Sequence, residues 1–338
     1  MTRLIFTLMV LTGIFISGCA QKVTVRALQP AQFDKAASAK VIGVAPFDRD
    51  DVGLGAKIES GLADYSLKPG QGYFTVVART DLDRVLNEQA LSHSGLADDS
   101  AVAQLGRLIG AQALVSGSVH AASASDRSYR ENRTRCAASD KKGKCLKTER
   151  YTVWCTKRSF TLSASARMVS VENGDLLAAK NLTQNSTASH CRDESGGLLS
   201  KSEGLNRLAD RAAAEFISAI TPSYIRFQVV LIDDLDVRLP GEHEQRFEAA
   251  LAFIKENRLD RGKELLSGLM DATGGQSYAV AYNLGVLCEA EGDYDEAKSL
   301  YHQADRLTLK PVKPINEAIV RIDAVAAKHN RALKQMAR

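Results

Sequence analysis

The sequence predicts an α/β (α+β) domain, a mixed sheet with flanking helices, followed by an all-α domain of repeated helices. Three observations predict it. Between Lys40 and Pro222, short apolar runs alternate with segments of helical period, and a hairpin signal, Asn173-Gly174-Asp175, comes late. After Leu239-Pro240-Gly241-Glu242 the period is helical throughout. Two stretches of that second part, thirty-five residues apart, repeat one pattern.

The elements follow in order. Residues 1–18 read as a signal peptide: Arg3 supplies a positive start, and Leu4–Ser17 is an apolar run too short to span a bilayer comfortably. Ile16-Ser17-Gly18-Cys19 resembles a bacterial lipobox, which makes Cys19 the acylated first residue of the mature chain. Ala20 follows it rather than an aspartate, so the expected location is the periplasmic face of the cell outer membrane, lipid-anchored. Residues 19–39 show no sustained period and are expected to be a lipidated tether. "KVIGVAPFD" and "YFTVVAR" read as strands, and "GLGAKIESGLADYSLKP", "TDLDRVLNEQALS" and "DDSAVAQLGRLIGA" as helices. "QALVSGSVHAAS" is a strand, two more strands flank Asn173-Gly174-Asp175, and "SEGLNRLADRAAAEFISAI" is a closing helix ended by Pro222. Residues 40–222 thus form the first domain, with a Cys-rich basic insertion at 121–158. A connector strand occupies 223–241, and the helical domain 242–338.

In the first domain "VIGVAPF", "FTVVARTDLDRVLNEQ", "LGRLIGAQALVSGSV" and "LSASARMVSVENGDLLAAKN" resemble the CsgG family of curli-secretion outer-membrane lipoproteins. The resemblance spans Lys40 to Pro222 and consists of hydrophobic patterns and turns, so it bears on fold more than on function. In the second domain "AYNLGVLCEAEGDYDEAKSLYHQADRL" resembles a tetratricopeptide repeat, and "RFEAALAFIKENRLDRGKELLSGL" repeats it loosely. Leu284, Gly285, Gly292, Ala297, Tyr301 and Ala304 fall at its packing positions. Gly285, Gly292 and Ala297 are expected to let two helices approach, while Leu284 and Tyr301 fill the space between them. The repeat groove is expected to take a partner's helix or peptide.

Formal net charge is +4, too small by itself to name a partner, but its distribution is uneven. Between Asp126 and Arg158 eleven Lys/Arg stand against four Asp/Glu. Arg127, Arg130, Arg133, Arg135, Lys141, Lys142, Lys144, Lys147 and Arg150 make up a basic arm. Three readings compete for it: a solvated hairpin, a binding arm for anionic envelope material, and the barrel-forming hairpin that the CsgG resemblance implies. A spanning strand needs about nine to eleven residues with one apolar face, and neither face of "SASDRSYRENRTR" offers that. Nucleic acid is not an expected partner in this compartment.

Cys136, Cys145, Cys155 and Cys191 read as two disulfides in an oxidising compartment. Three pairings are open; Cys136–Cys145 with Cys155–Cys191 is attractive, since the first would close a short hairpin tip. The spacings lack a C-x-x-C knuckle, which argues against zinc, and no metal or cofactor is expected. Cys288 reads as a packing residue. His93, His120, His190, His243, His302 and His329 fit no metal-binding pattern, and no nucleophile elbow or phosphate loop occurs, so no enzyme is expected. The expected role is a non-enzymatic adaptor or assembly factor of an envelope or secretion machine, with protein partners and a possible homo-oligomer; the alternative is an oligomeric curli-type secretion channel.

Overall fold

The computed structural model describes residues 21–77 and 107–337; Cys19, His93 and most of the two helices expected before Ala111 lie outside them. The chain divides into two units. One comprises residues 28–224 with 328–338, the other residues up to Ala27 with Ile225–Ala327.

The first unit carries a five-stranded sheet in the order β5-β2-β6-β7-β8, from β2 (Val41–Val44), β5 (Thr75–Val76), β6 (Ala113–Ser139), β7 (Cys145–Ser170) and β8 (Leu176–Cys191). β2 runs parallel to β5 and β6, whereas β6, β7 and β8 form an antiparallel meander. A minor hairpin joins β3 (Ser66–Lys68) to β4 (Gln71–Gly72). The turn between β7 and β8 uses Gly174 at φ 74, the left-handed conformation expected of Asn173-Gly174-Asp175. Helices α2 (Leu54–Asp64) and α3 (Lys201–Ile220) cover one face of the sheet. Their apolar stripes, Leu54, Ile58 and Leu62 on α2 and Leu208, Ala212 and Phe216 on α3, share a core with Ile42, Val115, Phe160, Leu162 and Met168. The short α1 (Asp34–Ser38) is clamped by Arg331, whose guanidinium meets the Asp34 carboxylate at 2.9 and 2.8 Å.

The second unit is helical: α4 (Gly241–Lys255), α5 (Leu259–Ala272), α6 (Tyr278–Glu291), α7 (Tyr294–Leu307) and most of α8 (Lys313–Met336). A Cβ on Gly285 would sit 2.7 Å from the Tyr301 ring, so α6 and α7 approach as the repeat pattern requires. Leu284, Ala297, Tyr301 and Ala304 are all buried there. Gly292 has a different part from the one expected. It has open space around it and φ 89, and it ends α6 as a left-handed cap rather than allowing close packing. Cys288 is buried and free, as a packing residue should be.

Two expectations are corrected. Residues 22–29, read as tether, are strand β1 (Lys22–Gln29), paired with β9 (Ser223–Val230). Val23, Val25 and Ala27 alternate inward and join Val229 and Leu231 in the helical unit's core, which adds a strand pair to the packing of the helices. The expected repeat groove is also taken at α6. The Asn283 amide oxygen accepts from Ile232 N–H at 2.9 Å and its NH2 donates to Ile232 C=O at 2.8 Å. Tyr282 donates to Val230 C=O, and Asp236 accepts from Ser277 Oγ–H and from the N–H groups of Tyr278 and Ala279. The connector itself fills the place expected for a partner peptide.

The core of this unit also holds a charge. Glu289 is fully buried; Arg321 donates to it at 2.9 and 2.7 Å and the Tyr301 hydroxyl at 2.6 Å. Burial and the adjacent carboxylate push the Tyr301 hydroxyl far above its ordinary pKa.

Candidate functional site

The 121–158 segment is no separate insertion. β6 and β7 simply continue out of the core sheet, paired without interruption except for bulges, from Ala113↔Ser170 to Ser139↔Cys145. β8 accompanies them only as far as Cys155↔Cys191. Beyond that rank β6 and β7 stand alone as a two-stranded arm, residues 130–139 against 145–154, roughly 33 Å long at about 3.3 Å per residue.

Two disulfides fasten it. Cys136–Cys145 joins the strands beside the Asp140–Lys144 turn, and Cys155–Cys191 ties β7 to the end of β8, with Cα–Cα distances of 5.7 and 3.9 Å. Of the three possible pairings this is the attractive one. Glu131, Cys155 and Cys191 offer three potential ligand atoms within 4.8 Å, but both sulfurs are in the disulfide and so are not thiolate ligands.

Because directly opposed residues share a face, the register separates the arm into two surfaces. One carries Tyr129, Glu131, Arg133 and Arg135 opposite Cys155, Val153, Tyr151 and Glu149. Here Val153, Cys155 and Cys191 are buried with Tyr129 and Tyr151 against them, a small core of the arm's own. Arg133 is the hub of this face. Its Nε donates to Glu131 at 3.0 Å, Nη1 to Asp193 at 3.0 Å and Nη2 to Glu194 at 2.8 Å. Tyr151 donates to Asp193, and Glu194 also accepts from Cys191 N–H. The Tyr151 hydrogen bond, with Arg133 nearby, holds the Asp193 carboxyl below its ordinary range, and Arg133 does the same for Glu194.

The other surface carries Ser128, Arg130, Asn132 and Thr134 opposite Thr156, Trp154, Thr152 and Arg150. Thr148, opposite Cys136, continues it toward the tip, where the register shifts. It has no carboxylate until Asp126, which Arg158 grips with Nε at 2.6 Å and Nη2 at 2.8 Å. The Arg130 guanidinium stacks 4.3 Å from the Trp154 ring centre. Beside Trp154 lies a depression of about 370 Å³ lined by Ser128, Thr156, His190, Arg192 and Leu198.

The basic arm therefore splits. Arg133 is neutralised by three carboxylates and Arg135 pairs with Glu149, so these two are structural pins rather than free cations. Arg127, Arg130, Arg150 and the tip lysines Lys141, Lys142, Lys144 and Lys147 form no ion pair among the described residues. Sequence reasoning missed Asp193 and Glu194, although an acidic pair just after Cys191 was the available signal. His120 touches the hydroxyls of Ser118 and Ser165 at 3.4 and 3.1 Å, and among the described residues no carboxylate orients its ring as a hydrolytic triad would need.

With this geometry in place, the chain can be compared with known families. Residues 60–132 match the family described as "Curli production assembly/transport component CsgG". The CsgG match runs from within α2 into β6 and stops before Arg133, so the arm's tip, β7 and β8 lie outside it. Among solved structures, lipoprotein GNA1162 from Neisseria meningitidis is similar at 15% identity over 53% of this chain and 97% of its own, with a TM-score of 0.27. LpoB of E. coli gives 12% identity, 55% and 84% coverage and a TM-score of 0.27. The PelC dodecamer from Paraburkholderia phytofirmans gives 15%, 59% and 97%, with 0.26. A comparison with curated proteins gives no match.

Proposed function

We propose that this chain is an outer-membrane-anchored lipoprotein, facing the periplasm, that serves as a non-enzymatic adaptor or assembly factor for an envelope or secretion machine. The observation that carries the reading is the arm: two strands extended beyond their sheet, fastened by two disulfides and faced with polar and charged groups. A projecting element without a deep core is suited to contact rather than to chemistry. The CsgG match over residues 60–132 supports placement with envelope assembly proteins. The helical unit, read as tetratricopeptide-like, would act as a closed scaffold, because its own connector covers α6.

The test is a pull-down from solubilised outer membranes, comparing the wild-type chain with one carrying substitutions at the exposed Asn132, Thr134 and Thr152. A defined envelope assembly that is recovered with the wild type and lost with the variant supports the adaptor. A second reading, the oligomeric channel, draws on the strand edges. Among the described residues, β6 beyond Val119 and the outer edge of β8 have no strand partner, which leaves edges for neighbouring copies. Large, reproducible conductance of the purified lipoprotein in planar bilayers would replace the adaptor with that channel.

A further inference from the structure

The two disulfides of the arm stand in different surroundings. Cys155 and Cys191 are directly opposed on β7 and β8, each is 2% exposed, and Val153, Tyr129 and Tyr151 pack with them. Cys136 and Cys145 are both exposed at the tip, where the register shifts, so that Cys136 stands opposite Thr148 and Cys145 opposite Ser139. The tip turn is fastened without their bond. Asp140 N–H donates to Lys144 C=O at 2.9 Å, and the Asp140 carboxylate accepts from the N–H groups of Lys142 and Lys144 at 2.9 and 2.8 Å. Gly143 takes the left-handed conformation this turn needs, at φ 82. Charge around the sulfurs is one-sided as well. From Arg135 to Arg150 six Lys/Arg stand against two Asp/Glu, and both acids are engaged, Asp140 in the turn and Glu149 with Arg135. Arg135, beside Cys136, is thereby neutralised. Lys144 and Lys147, which flank Cys145, form no ion pair among the described residues.

From these differences we propose that Cys136–Cys145 is a reversible thiol-exchange site, open to a protein dithiol set in an acidic surface, while Cys155–Cys191 stays closed. The attacking thiolate of that dithiol bonds to Cys136 Sγ, the Cys136–Cys145 bond breaks, and its electron pair leaves on Cys145 Sγ. Lys144 and Lys147 stabilise the departing thiolate, which directs the attack to Cys136 rather than Cys145. The second thiol of the dithiol, deprotonated, then displaces Cys136 Sγ. The dithiol is thereby oxidised to a disulfide and the tip reduced to two thiols, with two electrons and two protons transferred. Because the Asp140 turn persists, both thiols stay near each other and the bond re-forms in the reverse reaction. A nucleophile must approach sulfur along the S–S axis, and burial denies that approach at Cys155 and Cys191. Charge selects the reactant, since a cationic tip draws an anionic thiol and repels a cationic one. This inference does not rest on the adaptor reading: thiol exchange is read without a recruited assembly, and the pull-down without a thiol.

The test uses the full chain with Cys19→Ser and two small thiols as probes, anionic glutathione and cationic cysteamine, compared at equal thiolate concentration. Acid quenching, alkylation and peptide mass mapping then report the state of each cysteine over time. Expected is opening of Cys136–Cys145 at least about tenfold faster than of Cys155–Cys191, with the first glutathione adduct on Cys136 and a free thiol on Cys145. Glutathione should outpace cysteamine at low salt, and the difference should close at high salt. Lys144→Gln combined with Lys147→Gln should slow glutathione by about fivefold and remove its advantage over cysteamine. Lys157→Gln, the same charge change below the arm, should leave both rates unaltered. Transfer to oxidised glutathione should restore the tip bond. Unchanged far-UV circular dichroism establishes that the reduced tip and each variant are folded. Simultaneous opening of both disulfides, a tip that opens only when the chain unfolds, or equal rates with the two thiols overturns the proposal. A first adduct on Cys145 overturns the assigned direction of attack.

Discussion

In the helical unit Tyr301 is fully buried, its ring is 5.6 Å from that of Tyr282, and α6 is enclosed along Ala279–Glu289 by its own connector and neighbouring helices. In the arm the largest buried group is a cluster of Val153, Cys155 and Cys191. Both regions are regular and both are ordered, yet they are held by different forces. Where helices surround a segment, burial of apolar area at about 25 cal/mol per Å² does the holding. Where two strands leave their sheet, little apolar area is available, and covalent links with a hub of ion pairs take its place. Charge is used in opposite ways as well. Glu289 and Arg321 are charges taken into a core and satisfied there, whereas Arg133 and its carboxylates sit near water and fasten a turn to a strand.

The sharpest way to break this comparison is Glu289→Ala. It leaves Arg321 partly buried without its carboxylate, and a loss of about 3–5 kcal/mol is expected in urea unfolding of the helical unit. A loss near zero would mean that packing alone holds α6. Next comes Cys155→Ala with Cys191→Ala, expected to cost about 2–4 kcal/mol. Hydrogen exchange should show the cost confined to residues 129–155 and 187–196, with the helical unit unaffected. Spread of the loss into the helices would sink the idea that the arm is fastened locally. Tyr301→Phe removes one donor to a buried carboxylate and is expected to cost about 1–3 kcal/mol, again in the helical unit alone.

The smallest effect is that of pH. Asp193 and Glu194 are held below their ordinary values of 3.8 and 4.5, so the folded state favours their charged forms. Their contribution is complete above those values and disappears as pH falls through the lowered ones. Protection of the Arg192–Glu194 amides, taken against their intrinsic exchange at each pH, should therefore fall in acid below about pH 4, while Trp154 emission stays constant above it. Protection that is unchanged down to acid would show that the clasp owes nothing to charge.

The sheet core, the hairpin turn at Asn173-Gly174-Asp175 and the disulfide-pinned tip were legible because each has a local signature in pattern or spacing. β1 was not. Its alternation of Val23, Val25 and Ala27 is short, and its partner β9 lies some two hundred residues away. The length of β6 and β7 was hidden for another reason. Past Ser123 both faces turn polar, and alternation fades because cross-strand bonding rather than burial keeps the strands straight. Glu289 carries no signature of its own beyond its place inside the largely apolar Leu284–Ala290. Of the candidate site, the cations were plain in the sequence but their division was not. Arg130 and Arg133 differ by three positions, and only the register shows that one faces Trp154 and the other a carboxylate clasp.

The start of β1 at Lys22 has a consequence for geometry at the bilayer. If Cys19 carries the acyl chain of the proposed lipoprotein, Ala20 alone separates it from Gln21, whose C=O already accepts from Leu231 N–H at 2.8 Å. At about 3.3–3.6 Å per residue that allows a reach of roughly 7 Å. Such a chain could not roam the periplasm on a long tail. Its folded part would stay against the membrane plane, and whatever it recruits would have to come there.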